Sequence, residues 1–418
     1  MLNLRAEIQA LMKENLHLVN KDREYWYPLA EPTYGADEVM EALDSMISFK
    51  TTMWSKTREF ENRFGNYVDS QAVMVNSGSS ADLLISFALL SESGGPLSKG
   101  DEILIPAVTW PTQVWSALMA GFKVKLVDVD VATLNISIDD LRRKISPESK
   151  ALFLVHLMGN MANMDDITSI CREFNLILLE DTCESLGSSF RNQKAGTFGL
   201  ASSFSFFFSH HITTMEGGMI VSSNAEFLST VKLLRAHGWS RQLQNAPTFE
   251  GLDPRYTFLE WGFNVRPTEL QAGFGIHQLK RLESFAQHRN QNAKTLQDIF
   301  GSYPELFDTM KVTENVECSW FAFPILIKPN KIGVSRDFVT SLLESNGIET
   351  RPVIAGNIAR QPALNRFKEV ISFESLAGAD YIHKHGFYVG ISPFDKQLEL
   401  NKLKRILSDI VALAEGLK

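Results

Sequence analysis

Cysteine is scarce in this chain, and its few cysteines offer neither a disulfide framework nor a metal site. The 418 residues include only Cys171, Cys183 and Cys318, and no two of them form a Cys-x-x-Cys pair. An odd and widely spaced set of this kind is typical of proteins in a reducing compartment. The sequence therefore predicts a cytoplasmic protein without structural disulfides.

Long apolar runs and basic runs are also missing. No stretch approaches the roughly 18 consecutive apolar residues of a membrane-spanning helix. The net charge of −8 disfavours a nucleic-acid surface. The N-terminal segment mixes charged and apolar residues (MLNLRAEIQALMKENLHL), which predicts an amphipathic helix over about residues 1–20 and no signal peptide. We therefore expect a globular protein that binds neither nucleic acid nor a membrane.

Apolar strands and helices alternate from about residue 72 onward. The strands are almost continuously apolar, which is typical of a mostly parallel sheet covered by helices on both faces. This pattern predicts an α/β fold. The predicted strands are 72–75, 101–106, 122–130, 150–157, 175–181, 204–208 and 219–221, and the predicted helices are 81–93, 111–120, 167–175 and 227–237.

A long helical stretch over 268–300, with a break inside it, leads to a second unit. That unit begins at about residue 305 and has a predicted strand at 319–328 and predicted helices at 335–347 and 398–417. We therefore expect three parts, namely an N-terminal helical extension (1–26), a large domain (27–285) and a smaller C-terminal α/β domain (286–418).

Three features at strand ends could hold a ligand. Gly78 and Ser79 lie in a Ser/Gly turn before a helix, where free backbone amides can bind a phosphate. Trp110 follows a strand, where its indole could stack on a flat ring. Asp181 ends another strand and could pair with a protonated ring nitrogen. Taken alone, a Ser/Gly turn is more often an ordinary loop, a tryptophan after a strand is more often a core residue, and an aspartate after a strand is more often a helix N-cap.

A fourth feature is a polar turn with adjacent histidines. The stretch ASSFSFFFSHHITTMEGGMIV predicts strands at Phe204–Phe208 and Met219–Val221 around a turn that begins with His210 and His211. If the segment is extended, the two imidazoles point in opposite directions, so only one can face a site. Histidine exchanges protons near neutral pH, and the nearby Ser205 could bond a phosphate.

Taken in this order, the features resemble the sugar aminotransferase (DegT/DnrJ/EryC1/StrS) family of fold-type I pyridoxal-phosphate enzymes. The resemblance covers nearly the whole chain, through YPLAEPTYG, GNYVDSQAVMVNSGSSADLL, PAVTWP, EDTCESLGSSF, KAGTFG, EGGMIV and NVRPTELQAGFGIHQLKRL. It implies a mostly parallel central sheet with helices on both faces and a smaller C-terminal α/β domain. It also implies that the large domain (27–285) binds the cofactor.

In that family the position of His210 normally holds the lysine that binds the cofactor as a Schiff base. Counting back from Glu216-Gly217-Gly218 places His210, and not His211, at this position. A histidine can carry protons but cannot anchor the aldehyde. The exchange is specific to the 3-dehydratase subgroup, and the strings SHHITTMEGG, LRAHGWSRQL, GFNVRPTE, SWFAF and GIETRPVIAGN resemble the branch that acts on GDP-sugars.

The resemblance also implies roles for residues around His210. The implied cofactor contacts are Gly78, Ser79 and Ser205 at the phosphate, Trp110 on the ring, Asp181 at the ring nitrogen, Glu184 near the ring, and Asn264 at the phosphate from a partner subunit. The implied substrate contacts are His237, which would also cross the dimer, and Glu349 and Arg351. A homodimer with shared active sites is therefore expected.

The implied reaction removes the 3-hydroxyl of a nucleotide-linked 4-keto-6-deoxyhexose, most closely GDP-4-keto-6-deoxymannose. Pyridoxamine phosphate would bind non-covalently, His210 would act as base and acid, and an amino acid such as glutamate would restore the amine. The product would serve deoxysugar synthesis for a lipopolysaccharide O-antigen, as in the route to colitose. CDP-sugar dehydratases carry an iron–sulfur cluster, but a cluster normally takes four ligands and the chain has three cysteines. We therefore expect no iron–sulfur cluster and no other metal.

Three alternatives remain. The chain could be an ordinary aminotransferase with a displaced lysine, although the turn from Ser209 to Gly218 contains none. The same chemistry could act on a CDP- or dTDP-linked sugar. A catalytically silent sugar-binding relative could keep Asp181, Trp110 and the Ser/Gly turn and lose only the anchor.

Overall fold

The computed structural model describes residues 2–21, 23–243, 245–328 and 334–416. The helices are α1 (Leu2–Lys21), α2 (Ala36–Ile47), α3 (Ser55–Val68), α4 (Gly78–Ala88), α5 (Pro111–Ala120), α6 (Ile138–Lys144), α7 (Met164–Glu173), α8 (Ala225–Arg235), α9 (Glu269–Leu279), α10 (Leu282–Gly301), α11 (Arg336–Ser345), α12 (Ala377–His385) and α13 (Gln397–Gly416). The strands are β1 (Gln71–Val75), β2 (Glu102–Pro106), β3 (Lys123–Val127), β4 (Ser149–Val155), β5 (Ile177–Asp181), β6 (Ser189–Phe190), β7 (Gln193–Lys194), β8 (Ala201–Ser205), β9 (Gly218–Ser222), β10 (Phe307–Thr309), β11 (Val316–Glu317), β12 (Ala322–Ile327), β13 (Thr350–Pro352), β14 (Ile371–Ser372) and β15 (Gly386–Gly390). The last predicted helix is described to Gly416, and Leu417 lies outside the described residues.

A large sheet forms the centre of the molecule. Within the described residues it has eight strands, in the order β1-β9-β8-β5-β4-β2-β3-β14. Strand β9 pairs antiparallel with β1 and β8, and the other neighbouring strands pair parallel. The predicted mostly parallel sheet is therefore confirmed, and the carboxyl ends of β1, β2, β5 and β8 lie along the same edge.

Helices cover both faces of this sheet, and strand β2 shows why. Ile103 and Ile105 pack into a core with residues of α4 and α5, whereas Leu104 packs into a second core with residues of α6 and α7. Successive side chains of a strand point to opposite faces, so a strand buried on both faces must be apolar throughout. Each fully buried side chain of this size contributes about 1.5–3 kcal/mol to stability.

The C-terminal part of the chain builds a second, smaller sheet. Among the described residues this sheet has the strand order β10-β12-β15-β13, and all of its pairs are antiparallel. Its core is continuous with one core of the large sheet. The predicted break in the long helical stretch lies between α9 and α10. The proposed boundary at 285/286 falls inside α10, and β14 returns to the large sheet, so the division into 1–26, 27–285 and 286–418 stays a prediction.

The N-terminal helix α1 lies against α2. Ile8 and Met12 are partly buried, whereas Leu4, Leu11 and Leu16 are exposed. The predicted amphipathic helix is thus present, and part of its apolar side faces solvent in the single chain. No helix in the described ranges is long and apolar enough to cross a membrane.

Candidate active site

Four of the predicted cofactor residues lie at the carboxyl edge of the large sheet. Asp181 is the last residue of β5, Ser205 is the last residue of β8, and Gly78 is the first residue of α4, which follows β1. Trp110 is the N-cap of α5, and Pro111 occupies the first helical position. Ligands in open α/β sheets bind outside this edge, so the fold gathers these residues where a ligand is expected.

The start of α4 forms a narrow cradle above the end of β8. A Cβ atom on Gly78 would lie 2.6 Å from the Cβ of Ser205 and 3.1 Å from the Sγ of Cys183. The Ser77 hydroxyl caps the helix by accepting from the Ser80 amide at 3.1 Å. The first amides of a helix have no intrahelical acceptor, so the helix start offers donors to an anion beside the exposed Ser79.

Asp181 presents a buried carboxylate next to this cradle. The residue is 4% exposed, and its Oδ1 accepts from the Cys183 amide at 2.8 Å. Its Oδ2 accepts from the Gln113 side chain on α5. Burial raises the pKa of Asp181 above its ordinary value, although the bond from Cys183 opposes this. A cation beside the carboxylate would restore its ionised form.

Asp82 is a second buried carboxyl group that the sequence analysis did not single out. It lies one turn after Gly78 on α4 and is 1% exposed. Its Oδ2 accepts from the Thr112 hydroxyl at 2.8 Å and from Gln113 at 3.2 Å. Burial and the charge of Asp181 raise its pKa well above the ordinary value. The one available indication in the sequence was an acidic residue within the apolar helical run ADLLISFALL.

The turn that follows β8 differs from the prediction. The strand ends at Ser205, and Phe207 and Phe208 are exposed residues of the turn. The segment with the two histidines is not extended, because the His210 amide donates to the Phe207 carbonyl at 3.0 Å. The condition under which the two imidazoles would point in opposite directions is therefore not met. Both rings pack on Phe321, with centroid distances of 5.1 Å for His210 and 5.9 Å for His211.

Hydrogen bonding distinguishes the two imidazoles. His211 is 1% exposed, and its Nε2 donates to the Ser319 carbonyl at 2.8 Å. The Nδ1 of His210 is buried and has no hydrogen-bond partner among the described residues. Burial, followed by the charge of Arg289, lowers the pKa of His210 to about 3. His211 therefore has a structural bond through Nε2, although the Nδ1 of His211, like that of His210, has no hydrogen-bond partner among the described residues.

Arg289 is a further residue that the sequence analysis missed. It lies on α10, is 4% exposed, and donates through Nη1 to the carbonyls of Trp320 and Phe321 at 3.2 and 2.9 Å. Its charge acts on both His210 and His211 and lowers the pKa of each. The arginine therefore fixes the segment that carries Phe321 and disfavours the protonated form of the adjacent imidazoles.

Glu184 is the other predicted acidic residue near the ring site. Its Oε2 accepts from the Met158 amide at 3.0 Å. Burial, with a smaller effect from Asp181, raises the pKa of Glu184 to about 8. The group is therefore largely protonated at neutral pH, so it can donate as well as accept a hydrogen bond.

The smaller sheet brings the pair Glu349 and Arg351 to the same region. The two side chains form an ion pair at 2.8 Å, and Glu349 also accepts from the Leu29 amide at 3.0 Å. Tyr388 on β15 lies opposite Arg351 on β13. Burial raises the pKa of Tyr388 to about 12, and the charges of Glu184, Arg351 and Glu349 also act on it. The Tyr388 hydroxyl therefore lies within reach of the charges of both Glu184 and the Glu349–Arg351 pair. No motif in the sequence had indicated this residue.

Asn264 and His237 are exposed in this chain. The Oδ1 of Asn264 accepts from Arg266 at 3.0 Å, and the His237 amide donates to the Phe263 carbonyl at 2.7 Å. Asn264 lines a cavity of about 1030 Å³ with several cationic side chains, namely Arg58, Lys232, Arg241 and Arg266. The prediction that Asn264 and His237 act in a partner subunit's site stays a prediction.

Known proteins resemble this chain over most of its length. The model of the DegT/DnrJ/EryC1/StrS aminotransferase family matches residues 32–410. The GDP-4-keto-6-deoxy-D-mannose 3-dehydratase of Escherichia coli O55:H7 is 39% identical over 389 residues, which cover 91% of this chain and 99% of that protein. A protein of the same name from Yersinia pseudotuberculosis is 36% identical over 388 residues, which cover 91% of this chain and 98% of the relative.

Solved structures of the same kind of enzyme match the fold. A structure of an E. coli GDP-4-keto-6-deoxy-D-mannose-3-dehydratase with bound hydrated PLP has a TM-score of 0.86 and 37% identity, and the match covers 91% of this chain and 99% of that chain. A GDP-4-keto-6-deoxymannose-3-dehydratase with a trapped PLP–glutamate geminal diamine has a TM-score of 0.85 and 37% identity, over 91% of this chain and 100% of that chain. The predicted fold is therefore confirmed.

Proposed function

Because the chain belongs to the DegT/DnrJ/EryC1/StrS aminotransferase family, we propose that it is a pyridoxal-phosphate-dependent 3-dehydratase of GDP-4-keto-6-deoxymannose. The observation that carries this proposal is His210. By counting back from Glu216-Gly217-Gly218, this residue stands at the position where the family normally has its cofactor-binding lysine, and its lowered pKa makes it a neutral imidazole. The likeness to 3-dehydratases from two bacteria supports the reaction and the GDP-sugar.

The residues of the site fit pyridoxal or pyridoxamine phosphate. Because Gly78 has no Cβ, the start of α4 lies close to Ser205, and the free amides of that helix start could hold a phosphate. The buried carboxylate of Asp181 forms no ion pair with any described residue, and a protonated pyridine nitrogen would supply a cation beside it. Trp110, 58% exposed at the start of α5, offers a free aromatic face. When bound, the amine form supplies a group that condenses with the sugar ketone and a ring that accepts electrons.

His210 has the properties required of the proton carrier. Its low pKa keeps the imidazole neutral at pH 7, so the ring can accept a proton. The imidazolium formed next to the buried Arg289 is a strong acid, and it returns the proton to the departing hydroxyl at sugar carbon 3. No lysine occurs between Phe206 and Gly217, so the turn has no amine that could capture the aldehyde form. Elimination of the hydroxyl then takes the place of amino transfer.

The remaining protein groups hold the reactants. Asp181 keeps the ring nitrogen protonated, and the protonated Glu184 offers a hydrogen bond beside the ring. Glu349 and Arg351 approach the sugar from the smaller sheet. The assignments of Asp181 and Glu184 rest on their position at and just after the end of β5 and on the family resemblance, and those of Glu349 and Arg351 rest on the resemblance.

A homodimer forms part of the proposal. Asn264 and His237 are exposed in the single chain, as residues that reach into a partner's site would be. Phe207 and Phe208, on the turn with His210, are 42% and 45% exposed. Exposed apolar groups at a site edge are typical of a surface covered by another chain. A second copy would therefore complete the phosphate contacts and cover this turn.

The donor and the biological setting are also proposals. Glutamate as amino donor is supported by the PLP–glutamate adduct in a solved relative. A cytoplasmic location and a role in making a 3,6-dideoxyhexose such as colitose for lipopolysaccharide are supported by the sparse free cysteines and by the nucleotide-sugar substrate. The absence of an iron–sulfur cluster stays a prediction that rests on the cysteine count.

Product analysis tests the proposal. The protein is incubated with pyridoxamine phosphate and, separately, the GDP-, CDP- and dTDP-linked 4-keto-6-deoxyhexoses, and the products are identified by mass spectrometry. We expect the GDP-sugar to lose one oxygen atom and ammonia to be released, with glutamate needed for repeated turnover. His210→Asn is the matched control and should bind the cofactor without dehydration.

Other outcomes of this experiment have definite meanings. An amino sugar as product would contradict the dehydratase assignment. If only the CDP- or dTDP-linked sugar were turned over, the 3-dehydratase reaction would stand and the assignment of a GDP-linked substrate would be wrong. A protein that binds pyridoxal phosphate but does not convert it to the amine form with glutamate, and that turns over no sugar, would be a silent relative.

A further inference from the structure

Two buried carboxyl groups share one amide behind the ring site. The Nε2 of Gln113 donates to the Oδ2 of Asp82 at 3.2 Å and to the Oδ2 of Asp181. The Oε1 of Gln113 accepts from the Thr109 hydroxyl at 2.7 Å. This last bond fixes the orientation of the amide, because a flipped amide would place its oxygen against two carboxyl groups. Gln113 therefore couples a helix residue to the carboxylate that pairs with the cofactor.

Asp82 and Asp181 cannot both be ionised at the same time in these surroundings. The α5 helix presents the neutral Thr112 and Gln113 to Asp82, and β8 presents the Ser203 hydroxyl. The other titratable neighbours are the Cys183 thiol, whose pKa burial raises well above its ordinary value, and the His156 imidazole, which acts on Asp181. Two adjacent carboxylates without a cation are strongly disfavoured inside a protein.

Nearby histidine and arginine side chains already have other partners. His156 pairs through Nε2 with Glu180 at 3.1 Å, and its Nδ1 accepts from the Ala162 amide at 3.3 Å, so both ring nitrogens are engaged. Arg235, the buried cation on the neighbouring helix α8, is paired with Glu61 at 2.8 Å. Strands β1 and β9, which also pack against α4, contain no charged residue. The local charge therefore depends on the two carboxyl groups and the bound ring.

The hydrogen bonds of Asp82 show which oxygen carries a proton. Its Oδ2 accepts two bonds, from Thr112 and Gln113. Its Oδ1 is buried and has no hydrogen-bond partner among the described residues. Oδ2 is already engaged by two donors, and an unpaired negative charge on the buried Oδ1 would cost more than an unpaired neutral hydroxyl group in the same place. The proton therefore belongs on Oδ1.

We propose that Asp82 is a positioning residue for the cofactor, which remains a neutral carboxylic acid and, through Gln113, holds the Asp181 carboxylate against the ring nitrogen. The inference rests on the proposed function, in which Asp181 pairs with that nitrogen. The two carboxyl groups then carry one negative charge, which matches the single positive charge of a protonated pyridine. The buried group as a whole is neutral when the cofactor is bound.

The protonation of Asp82 can be measured without any cofactor. Infrared difference spectra of the cofactor-free protein, wild type minus Asp82→Asn at pH 7.5, should show the carbonyl band of a protonated carboxylic acid in the wild type. A carboxylate band in its place would overturn the inference. Because this measurement does not involve the ring, it stands even if the assignment of the cofactor fails.

Cofactor binding tests the positioning role. Asp82→Asn keeps a neutral side chain of the same shape, so the Kd for pyridoxal phosphate should change by less than about threefold. Asp82→Leu removes the acceptor for Gln113, and the Kd should rise about tenfold or more. The pH dependence of the absorbance of the bound cofactor should be the same in Asp82→Asn as in the wild type and should differ in Asp82→Leu. A shifted pH profile in Asp82→Asn would show an ionised Asp82 and overturn the proposal.

Two further variants separate the possible failures. Gln113→Met removes the shared amide from the other side and should reproduce the binding defect of Asp82→Leu, so the test survives if the Leu variant does not fold. Unchanged cofactor binding in a folded Gln113→Met variant would contradict the coupling. Wild-type binding by Asp181→Asn would instead remove Asp181 from the ring nitrogen and overturn that part of the proposed function.

Discussion

A methyl group at residue 78 should close the phosphate cradle. In Gly78→Ala the new carbon would lie 2.6 Å from the Cβ of Ser205, whereas carbon atoms in contact are normally about 3.5–4.0 Å apart. The start of α4 must therefore move away from β8 by about 1 Å. Overpacking of this kind costs about 1–3 kcal/mol. If this cost falls on the bound form, the Kd for pyridoxal phosphate rises roughly 5–150-fold.

An equilibrium titration of the cofactor-free protein with pyridoxal phosphate, followed by absorbance, measures this effect. Thermal unfolding of the same samples reports whether the free protein is also destabilised. Gly301→Ala is the matched control, because a Cβ atom at the end of α10 would have no neighbour within 4 Å. Its cofactor affinity should remain that of the wild type. A Gly78→Ala protein of normal stability and normal affinity would refute the cradle.

Two further predictions concern the titratable groups of the site. His210→Lys should abolish dehydration and should retain the cofactor covalently after borohydride reduction, which mass spectrometry detects. The wild type and His211→Asn should retain no covalent cofactor. Covalent retention in the wild type would contradict the role of His210. The pKa of Glu184 is raised from 4.5 to about 8 in the folded protein. Between these two pH values the folded protein keeps the proton on Glu184, whereas the unfolded chain has released it. The free energy of unfolding should therefore fall as pH rises from 5 to 8, and Glu184→Gln should flatten this slope in denaturant titrations of the cofactor-free protein. An equally steep slope in the variant would remove Glu184 as its source.

The sheet and its site edge could be predicted because local patterns determine them. Strand β2 is apolar at nearly every position, as a strand buried on both faces must be. Asp181 ends an apolar strand of a mostly parallel sheet, so a site at that carboxyl edge could be expected from the sequence. Ser205 lay inside the predicted strand 204–208, so its place at the end of β8 could not be predicted. Gly78 could be predicted because it begins a helix directly after a strand.

Long-range packing determined what the sequence could not predict. Phe206, Phe207 and Phe208 have strong strand propensity, yet the chain turns after Ser205 because the His210 amide bonds back to Phe207. Asp82 is one acidic residue on a helix, and only the packing of α4 against α5 reveals that it shares an amide with Asp181. Tyr388 and Arg289 reach the site from distant parts of the chain, which no local pattern predicts.

The aromatic cover of the imidazole comes from the other end of the chain. His210 belongs to the loop between β8 and β9, whereas Phe321, which packs on it at 5.1 Å, lies just before β12 of the smaller sheet. Residues attached to both the large and the smaller sheet are therefore needed to shield the His210 imidazole from water. A fragment truncated at residue 285 would lack both Phe321 and the buried Arg289, so the His210 ring would be exposed to water and its pKa would rise toward that of free histidine.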